Sequence, residues 1–438
     1  MKVTTILQTI IITGGLLGTA VAQTISSDSI TIDRAVHMTL QYHAAIRQAE
    51  FDLAASEART NVKRSGLYPD VYFEAGYDRI GPVPEFELPG QGKIKVAPYN
   101  NYDMHLGLNQ TLYNFGRTKS EVKLAETSRQ SSADRIDLVK FNLAYETIGV
   151  CNNILILHRQ IDVFDDELET LQKHLEMSVK RLDAGTATDF DTLTIRVRLS
   201  MVESERVDAR HALETQEIRL RELTGLSPDV PINLRGEFAK QEITLEEDSL
   251  IAKAILQRPE ITMAHDAEAT ARARIHLVSL DNKPELSLNF EAGLKNGYEP
   301  NLNEWRKNYV AGLQLSVPLF NGFKTKHDEA AAGAELNSAC AHTTDIEQQI
   351  RANVQQAVAG VNASMQKMTS ARAQEYQAEK AVSLASVRYE AGTITNLDLL
   401  DAETTLSEAK LILLRAQYNF TVNLVELNKA IGKISWQE

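Results

Sequence analysis

Apolar residues recur at steps of three and four along part of the chain, which is the spacing of a coiled-coil helix. The seam runs through Ile154, Leu157, Ile161, Phe164, Leu168, Leu171, Leu175, Val179 and Leu182. No proline interrupts residues 99–227 or residues 319–438, so both stretches permit very long helices. A continuous helix over residues 117–184 would span roughly 100 Å. A rod of that length must pack against other rods.

Four short segments instead alternate apolar and polar residues, which is the two-residue period of a strand. They form two pairs, each flanked by proline and glycine. The apolar sets are Val71, Phe73, Ala75 and Tyr77; Tyr102, Met104, Leu106 and Leu108; Leu286, Leu288, Phe290, Ala292 and Leu294; and Tyr309, Ala311, Leu313, Leu315 and Val317. Each predicted strand therefore has one apolar face and one polar face.

The apolar faces have two interpretations. A soluble protein would pack such a sheet against its helices, whereas a lipid-facing barrel would gather aromatic residues at the levels of the two membrane interfaces. Aromatic residues do lie at the strand ends: Tyr113, Phe115, Phe320 and Phe323 at one end, and Tyr99, Tyr102, Tyr298, Trp305 and Tyr309 at the other. A long rod with a narrow seam is also poorly suited to cover a compact sheet, so the sequence favours the lipid-facing barrel.

One pattern occurs twice along the chain. Residues Leu112–Arg117 return as Leu319–Lys324, 207 positions later, while Pro69 returns as Pro284, 215 positions later. The difference between the two offsets predicts a first hairpin loop about eight residues longer than the second. The pattern indicates a duplicated unit of helix, strand pair and long helical hairpin. The predicted organisation is a signal peptide (residues 1–22), a first repeat (23–227), an inter-repeat equatorial segment (228–257) and a second repeat (258–438).

Four strands do not close a barrel in a bilayer, because an open edge would leave backbone donors and acceptors unpaired in lipid. Several copies of the chain must therefore complete it. A dimer would supply eight strands and a trimer twelve, and only the larger barrel leaves an obvious water-filled bore.

The N-terminus predicts export. Lys2, the apolar run from Ile6 to Leu17 and the small residues before Gln23 have the order of a secretory signal peptide. The formal net charge of −13 argues against nucleic acid as a partner. Cys340 corresponds to position 133 of the first repeat, 18 positions from Cys151, or about 27 Å along parallel helices. We therefore predict no disulfide within one chain.

The sequence offers no catalytic centre. No nucleophile, base and acid can be grouped, no pair of histidines has the spacing of a zinc protease, and no Cys-x-x-Cys motif is present. We expect no enzymatic activity, no metal site and no cofactor.

The chain resembles the TolC family of Gram-negative outer-membrane efflux channels over essentially its whole mature length. The residues that carry the resemblance are Tyr68-Pro69, the junctions Leu112–Gly116 and Leu319–Phe323, the two Ala-Gly-Thr turns, Arg258-Pro259-Glu260 and the ending Asn419–Gly432. The resemblance implies a mixed α and β fold in the outer membrane with a long periplasmic extension. It implies a homotrimer whose twelve-stranded transmembrane β-barrel, four strands per chain, continues into an antiparallel coiled-coil α-helical barrel. A periplasmic adaptor (membrane fusion) protein and an inner-membrane efflux pump or ABC exporter are the implied partners.

In that family an aspartate pair narrows the pore at the second helix–helix turn, and Asp398 and Asp401 occupy those positions. Spaced by three, they share one helix face, and three copies would place six carboxylates around one axis, an arrangement that attracts cations. The alternative is that acidic residues in a first helical turn only suit the helix dipole.

The family's tip also carries a closing network of aspartate, tyrosine and arginine. Asp191 and Tyr389 match two of its positions, but Ile394 stands where the arginine is expected. We hypothesise that closure depends on Tyr389 and apolar contacts, and that the resting state opens easily. The turns Gly185-Thr186 and Gly392-Thr393 are the sites at which the resemblance implies adaptor docking.

The favoured function is a passive exit channel, gated at its periplasmic tip, that conducts substrates from an inner-membrane pump to the exterior in a tripartite efflux or type I secretion assembly. The alternative is a periplasmic coiled-coil scaffold that never spans a membrane. An envelope enzyme ranks last. Carboxylates on the polar strand faces indicate an anionic lumen; they are Glu74, Asp78, Asp103, Glu285 and Glu291.

Overall fold

A computed structural model describes residues 30–88, 90, 92–238 and 245–434. The predicted signal peptide lies outside the described residues. The helices are α1 (Ile32–Tyr42), α2 (Ala44–Ser65), α3 (Arg117–Asp183), α4 (Asp189–Thr224), α5 (Glu247–Gln257), α6 (Pro259–Val278), α7 (Lys324–Glu390) and α8 (Asn396–Ala430). The strands are β1 (Ile30–Thr31), β2 (Asp70–Arg79), β3 (Glu85–Leu88), β4 (Gly92–Lys95), β5 (Asn100–Tyr113), β6 (Leu234–Arg235), β7 (Glu285–Lys295) and β8 (Arg306–Ser316).

Two helices of equal length dominate the molecule. α3 and α7 each contain 67 residues, which corresponds to about 100 Å. The continuous rod predicted over residues 117–184 is thus confirmed to within one residue. The duplication is also visible, because α7 begins and ends 207 positions after α3. Their partners α4 and α8 contain 36 and 35 residues.

The long helices pack side by side. In the half that contains the turns α3–α4 and α7–α8, called the lower half, the helices contact one another in the order α4–α3–α8–α7. In the upper half, nearer the strands, the order is α2–α3–α6–α7. Ile161, Phe164, Leu168 and Leu171 of α3 are buried against α4 and α8, as the seam predicts. Nearer the end of α3 the pattern changes.

Polar residues replace apolar ones in the last turns of the α3 seam. The sequence pattern places Leu175 and Val179 in the seam, but both are only half-buried. His174 and Ser178 are the buried residues there. Leu175 still packs against the buried cluster of Ile161, Phe164, Leu168 and Leu171, while the neighbouring His174 meets the polar side chain of Glu403 on α8.

The strands β2, β5, β7 and β8 form one antiparallel sheet in that order. Its register places Phe73 opposite Leu106, Leu106 opposite Ala292, and Ala292 opposite Tyr309, so the four predicted apolar sets share one face. That face is open in the single chain, where Leu313 is 67% exposed. A sheet packed against the helices, the soluble alternative, is therefore not what forms.

Two short ribbons complete the described structure. The longer first hairpin loop folds into the antiparallel pair β3–β4, which accounts for its extra residues. The parallel pair β1–β6 joins the start of the described chain to the segment after α4. The fold is thus mixed and mainly helical, with one four-stranded sheet. None of the helices in these ranges holds an apolar stretch sufficient to cross a membrane.

A pair of carboxyls between α3 and α6 makes stability depend on pH. Burial and a hydrogen bond shared with Asp134 raise the pKa of Asp266 to about 6. Because the folded chain binds this proton more tightly than the unfolded chain, folding is favoured at low pH and stability falls as pH rises from about 4 to about 6. We expect the thermal midpoint to drop over that interval and the drop to shrink in Asp266→Asn. An equal reduction in the exposed control Asp137→Asn would contradict the assignment.

Candidate functional site

The two helical hairpins, α3–α4 and α7–α8, end in turns of the same geometry. Gly185 and Gly392 have φ values of 72° and 71°, the left-handed region that glycine enters without strain. In each turn the following threonine donates its N–H and its hydroxyl to the carbonyl of the arginine five residues earlier. The two glycines thus end the long helices α3 and α7.

Asp398 acts as a helix cap. Its Oδ2 accepts hydrogen bonds from the backbone N–H and the hydroxyl of Thr395, at 2.8 and 2.7 Å. These bonds lower the pKa of Asp398, so the group stays ionised at neutral pH. Asp191 and Thr188 form the same box at the start of α4. The capping interpretation of the first-turn aspartates therefore describes the geometry of Asp398 and of Asp191.

Asp401, one turn further along α8, is placed differently. Its side chain is exposed, and among the described residues none donates a hydrogen bond to its carboxylate; its backbone carbonyl accepts one from the hydroxyl of Thr405. The two aspartates do share a helix face, but the carboxylate of Asp398 is engaged by its own helix and that of Asp401 is exposed.

Tyr389, near the end of α7, is buried. The guanidinium of Arg181 lies 4.2 Å from the centre of its ring, and the ring of His174 meets it edge-on at 5.6 Å. Within the described ranges no hydrogen bond joins Tyr389 to Asp191, whose carboxylate caps its own helix. The structure thus does not bring the two predicted network residues together by a hydrogen bond. Arg181, from the other hairpin, supplies a positive charge that sequence reasoning assigned to no residue.

His174 joins the two hairpins. Its side chain on α3 is 1% exposed, and its Nδ1 lies 3.2 Å from Oε2 of Glu403 on α8. Its Nε2 is buried without a hydrogen-bond partner among the described residues. The one available sequence signal was its position three residues after Leu171 of the seam. His174, Arg181, Tyr389 and Glu403 are called the tip cluster below.

Further contacts between the hairpins surround the tip cluster. The side-chain amide of Asn396 donates to the carbonyl of Asp191 at 3.3 Å. Glu167 of α3 accepts a hydrogen bond from Ser407 of α8 and also forms an ion pair, at 2.7 Å, with Arg198 of α4 in its own hairpin. Within the described part of the chain, no group of three or more His, Cys, Asp or Glu side chains is arranged to hold a metal ion.

Comparison with known proteins shows the family to which this chain belongs. The family model described as "Outer membrane efflux protein" matches residues 35–226 and 250–433, which is most of the chain. The chain belongs to the outer membrane efflux protein family. It is 24% identical to the outer membrane protein TolC of Vibrio cholerae over 408 residues, covering 90% of this chain and 87% of that protein. It is 25% identical to the alkaline protease secretion protein AprF of Pseudomonas aeruginosa over 392 residues, covering 87% and 79%.

Solved structures share the fold. The outer membrane channel CmeC of Campylobacter jejuni superposes with a TM-score of 0.79 at 16% identity, covering 93% of this chain and 87% of that one. The outer membrane protein VceC of Vibrio cholerae superposes with a TM-score of 0.77 at 18% identity, covering 92% and 96%.

Family membership confirms three predictions from the sequence. The chain resembles TolC proteins as expected, it is an outer-membrane efflux or secretion channel, and it resides in the outer membrane of a Gram-negative bacterium. The relatives are channel and secretion proteins, which fits the expectation of no enzymatic activity. The periplasmic scaffold that never spans a membrane loses its support.

Proposed function

We propose that three copies of this chain form one continuous tube, a twelve-stranded β-barrel in the outer membrane followed by an α-helical barrel in the periplasm. The tube conducts substrates passively and is gated at its tip. A periplasmic adaptor and an inner-membrane pump or ABC exporter complete the assembly. The observation that carries the proposal is the pair of unlike open edges on the single chain.

The sheet, the upper helices and the lower helices each have two open edges, and the same halves of the chain form these edges in all three. The sheet order begins with β2 and ends with β8, the upper helices run from α2 to α7, and the lower helices from α4 to α7. One edge is therefore built by the first half of the chain and the other by β8 and α7. Unlike edges that bind each other generate a closed ring when the rotation between copies closes, and in lipid only a ring removes the open strand edges.

Exposed apolar side chains line both helical edges. On α4 they are Phe190, Leu193, Val197 and Met201; on α7 they are Tyr376, Leu384 and Val387. Such stripes on a soluble surface mark contact sites. A second copy of the chain would cover both. Three copies give twelve strands, which leaves a water-filled bore.

The domain division is part of the same proposal. A first repeat over residues 23–227, an equatorial segment over 228–257 and a second repeat over 258–438 are supported by the equal lengths of α3 and α7. The signal peptide over residues 1–22 remains a prediction from sequence.

The sheet fits a wall between lipid and water. Its apolar face would meet lipid, with aromatic pairs such as Tyr102–Trp305 and Tyr113–Phe115 near the interfaces. Its polar face would line the lumen. There Lys295 lies 2.9 Å from Asp103 and compensates it, so the anionic character expected of the lumen rests mainly on the other strand carboxylates.

The tip residues take specific roles in this proposal. Asp401 of each copy, with Asp398 behind it, forms a ring of carboxylates at the narrowest point. Two unit charges about 6 Å apart interact by roughly 3 kcal/mol at an effective dielectric near 20, enough to retain cations. The tip cluster and the contacts around Asp191 hold the tip closed. The exposed turns Gly185-Thr186 and Gly392-Thr393 offer the adaptor its docking surface.

Single-channel recording in a planar bilayer tests the proposal. The native chain should form cation-selective pores that multivalent cations block, and Asp401→Asn should weaken block by about tenfold or more, since loss of roughly 1.4 kcal/mol is a factor of ten. Asp398→Asn should change block less, because that carboxylate already bonds to Thr395.

Asp345→Asn, on the exposed surface of α7, serves as the matched control and should behave like the native chain. Block that is indifferent to Asp401→Asn would discard the carboxylate ring and keep the channel. A chain that forms no pores would discard the tube.

A further inference from the structure

We infer that β8 of one copy pairs with β2 of the next copy in one register, in which Leu313 lies opposite Tyr77 of the neighbouring copy. The inference rests on the proposed ring. It goes further by naming the residues that meet across the joint, where the single chain shows two open edges.

The two hairpins of the sheet have the same register. Val71 of β2 pairs with Leu108 of β5. Their counterparts in the second repeat, 215 and 207 positions later, are Leu286 and Leu315, and these also pair. The duplication has therefore preserved strand pairing residue for residue, although the loops that join the hairpins differ in length.

The pairing of β5 with β7, which joins the two hairpins within one chain, is the model for the pairing of β8 with β2 of the neighbouring copy. β5 ends the first hairpin and pairs with β7, which begins the second. In a ring, β8 ends the second hairpin and must pair with the strand that begins the next one, which is β2 of the neighbour. Leu106 pairs with Ala292; the counterpart of Leu106 is Leu313, and the counterpart of Ala292 is Tyr77.

The transferred register matches side chains correctly on both faces. On the apolar face it pairs Leu313 with Tyr77 and Leu315 with Ala75. On the polar face it pairs Ser316 with Glu74, following the observed pair Asn109–Asn289. A slip of one residue would turn every side chain of one strand to the wrong face. A shift of one residue in either direction would therefore lose the match of apolar with apolar and polar with polar side chains.

The helices obey the same rule. Within one chain Glu167 of α3 meets Ser407 of α8. Their counterparts across the joint are Gln374 of α7 and Ser200 of the neighbour's α4, and both are exposed in the single chain. Gln374 also lies in a groove of about 570 Å³ on α7 and α8, together with Lys367 and Ile412. The neighbour's α4 near Ser200 is the occupant that the transferred contact places there.

Cysteine cross-linking tests the strand register in the full-length chain with Cys151→Ala and Cys340→Ala. Leu313→Cys with Tyr77→Cys should oxidise to covalent trimers, because opposite residues of an antiparallel pair lie about 4.5–5.5 Å apart, within disulfide reach. The matched control is Leu313→Cys with Phe73→Cys, on the same face but four residues away along β2. It should cross-link at least tenfold less.

A second pair tests the helical contact independently. Gln374→Cys with Ser200→Cys should cross-link between copies, and Gln374→Cys with Val207→Cys should not. Cross-linking of the Phe73 pair in preference to the Tyr77 pair would overturn the register and keep the ring. Light scattering of the unsubstituted chain tests the ring separately from the strand register. A monomer would overturn both the ring and the register.

Discussion

The substitution Leu313→Arg is expected to abolish assembly of the channel in the outer membrane, whereas Gln314→Arg at the adjacent position should assemble. Leu313 lies in the centre of β8 on the apolar face, which the proposed barrel turns toward lipid. An arginine near the bilayer midplane costs about 2–4 kcal/mol, and each trimer carries three. Gln314 lies on the polar face, where an arginine side chain would reach the water of the lumen.

The measurement is the amount of trimer in isolated outer membranes, judged by resistance to dissociation in mild detergent. Leu288→Arg on β7, which pairs with Leu313, should repeat the defect from the neighbouring strand. Equal assembly of Leu313→Arg and Gln314→Arg would mean that the apolar face does not meet lipid. Equal failure of both would point to a folding defect of β8 instead.

The long helices were predictable because their signals are local. The absence of proline over residues 99–227 and the three-four spacing of apolar residues determine α3 with little help from the rest of the chain. The strands were predictable for the same reason, since an alternating face such as Val71–Phe73 reports its own environment. The duplication then confirmed each element twice, as in the matching lengths of α3 and α7.

The tip cluster was not predictable because its contacts are tertiary. His174 is one of ten histidines, and its contact with Glu403 spans 229 residues of sequence. The stacking of Arg181 on Tyr389 likewise joins two hairpins whose relative height no local pattern states. The sequence showed only that Ile394 replaces an expected arginine. The hypothesis of closure through Tyr389 and apolar contacts therefore lacked the charged contact that the structure contains.

Asp398 illustrates a different limit. Its spacing from Asp401 suggested two equivalent carboxylates, but Thr395 lies three positions earlier and completes a capping box. The capping signal was present in the sequence. Two valid patterns overlapped at one residue, and only the geometry shows that the side chain serves its own helix.

The substitution Tyr389→Leu is expected to raise the open probability of the channel strongly. The leucine would lose the stacking of Arg181, worth about 0.5–2 kcal/mol for a cation on an aromatic ring. It would also lose the edge contact with His174, worth about 0.5–1.5 kcal/mol. Both contacts join the α3–α4 hairpin to the α7–α8 hairpin. Since three copies contribute, the open-to-closed ratio should rise at least tenfold, as roughly 1.4 kcal/mol corresponds to a factor of ten.

Three variants separate the causes. Tyr389→Phe should keep the channel closed, because the described contacts of Tyr389 use its ring and not its hydroxyl. Arg181→Ala should open it partly, since the contact with His174 remains. Lys380→Ala is the matched control for Arg181→Ala: Lys380 lies 5.6 Å from the centre of the Tyr376 ring on the same helix, and that contact bridges no hairpins. Opening by Tyr389→Phe as strong as by Tyr389→Leu would assign closure to the hydroxyl, and thus to a contact such as the one first expected with Asp191. Since Arg181 lies four residues before Gly185, an adaptor bound at that turn would act within reach of this contact, so Tyr389→Leu and Arg181→Ala should also lower the dependence of opening on the adaptor.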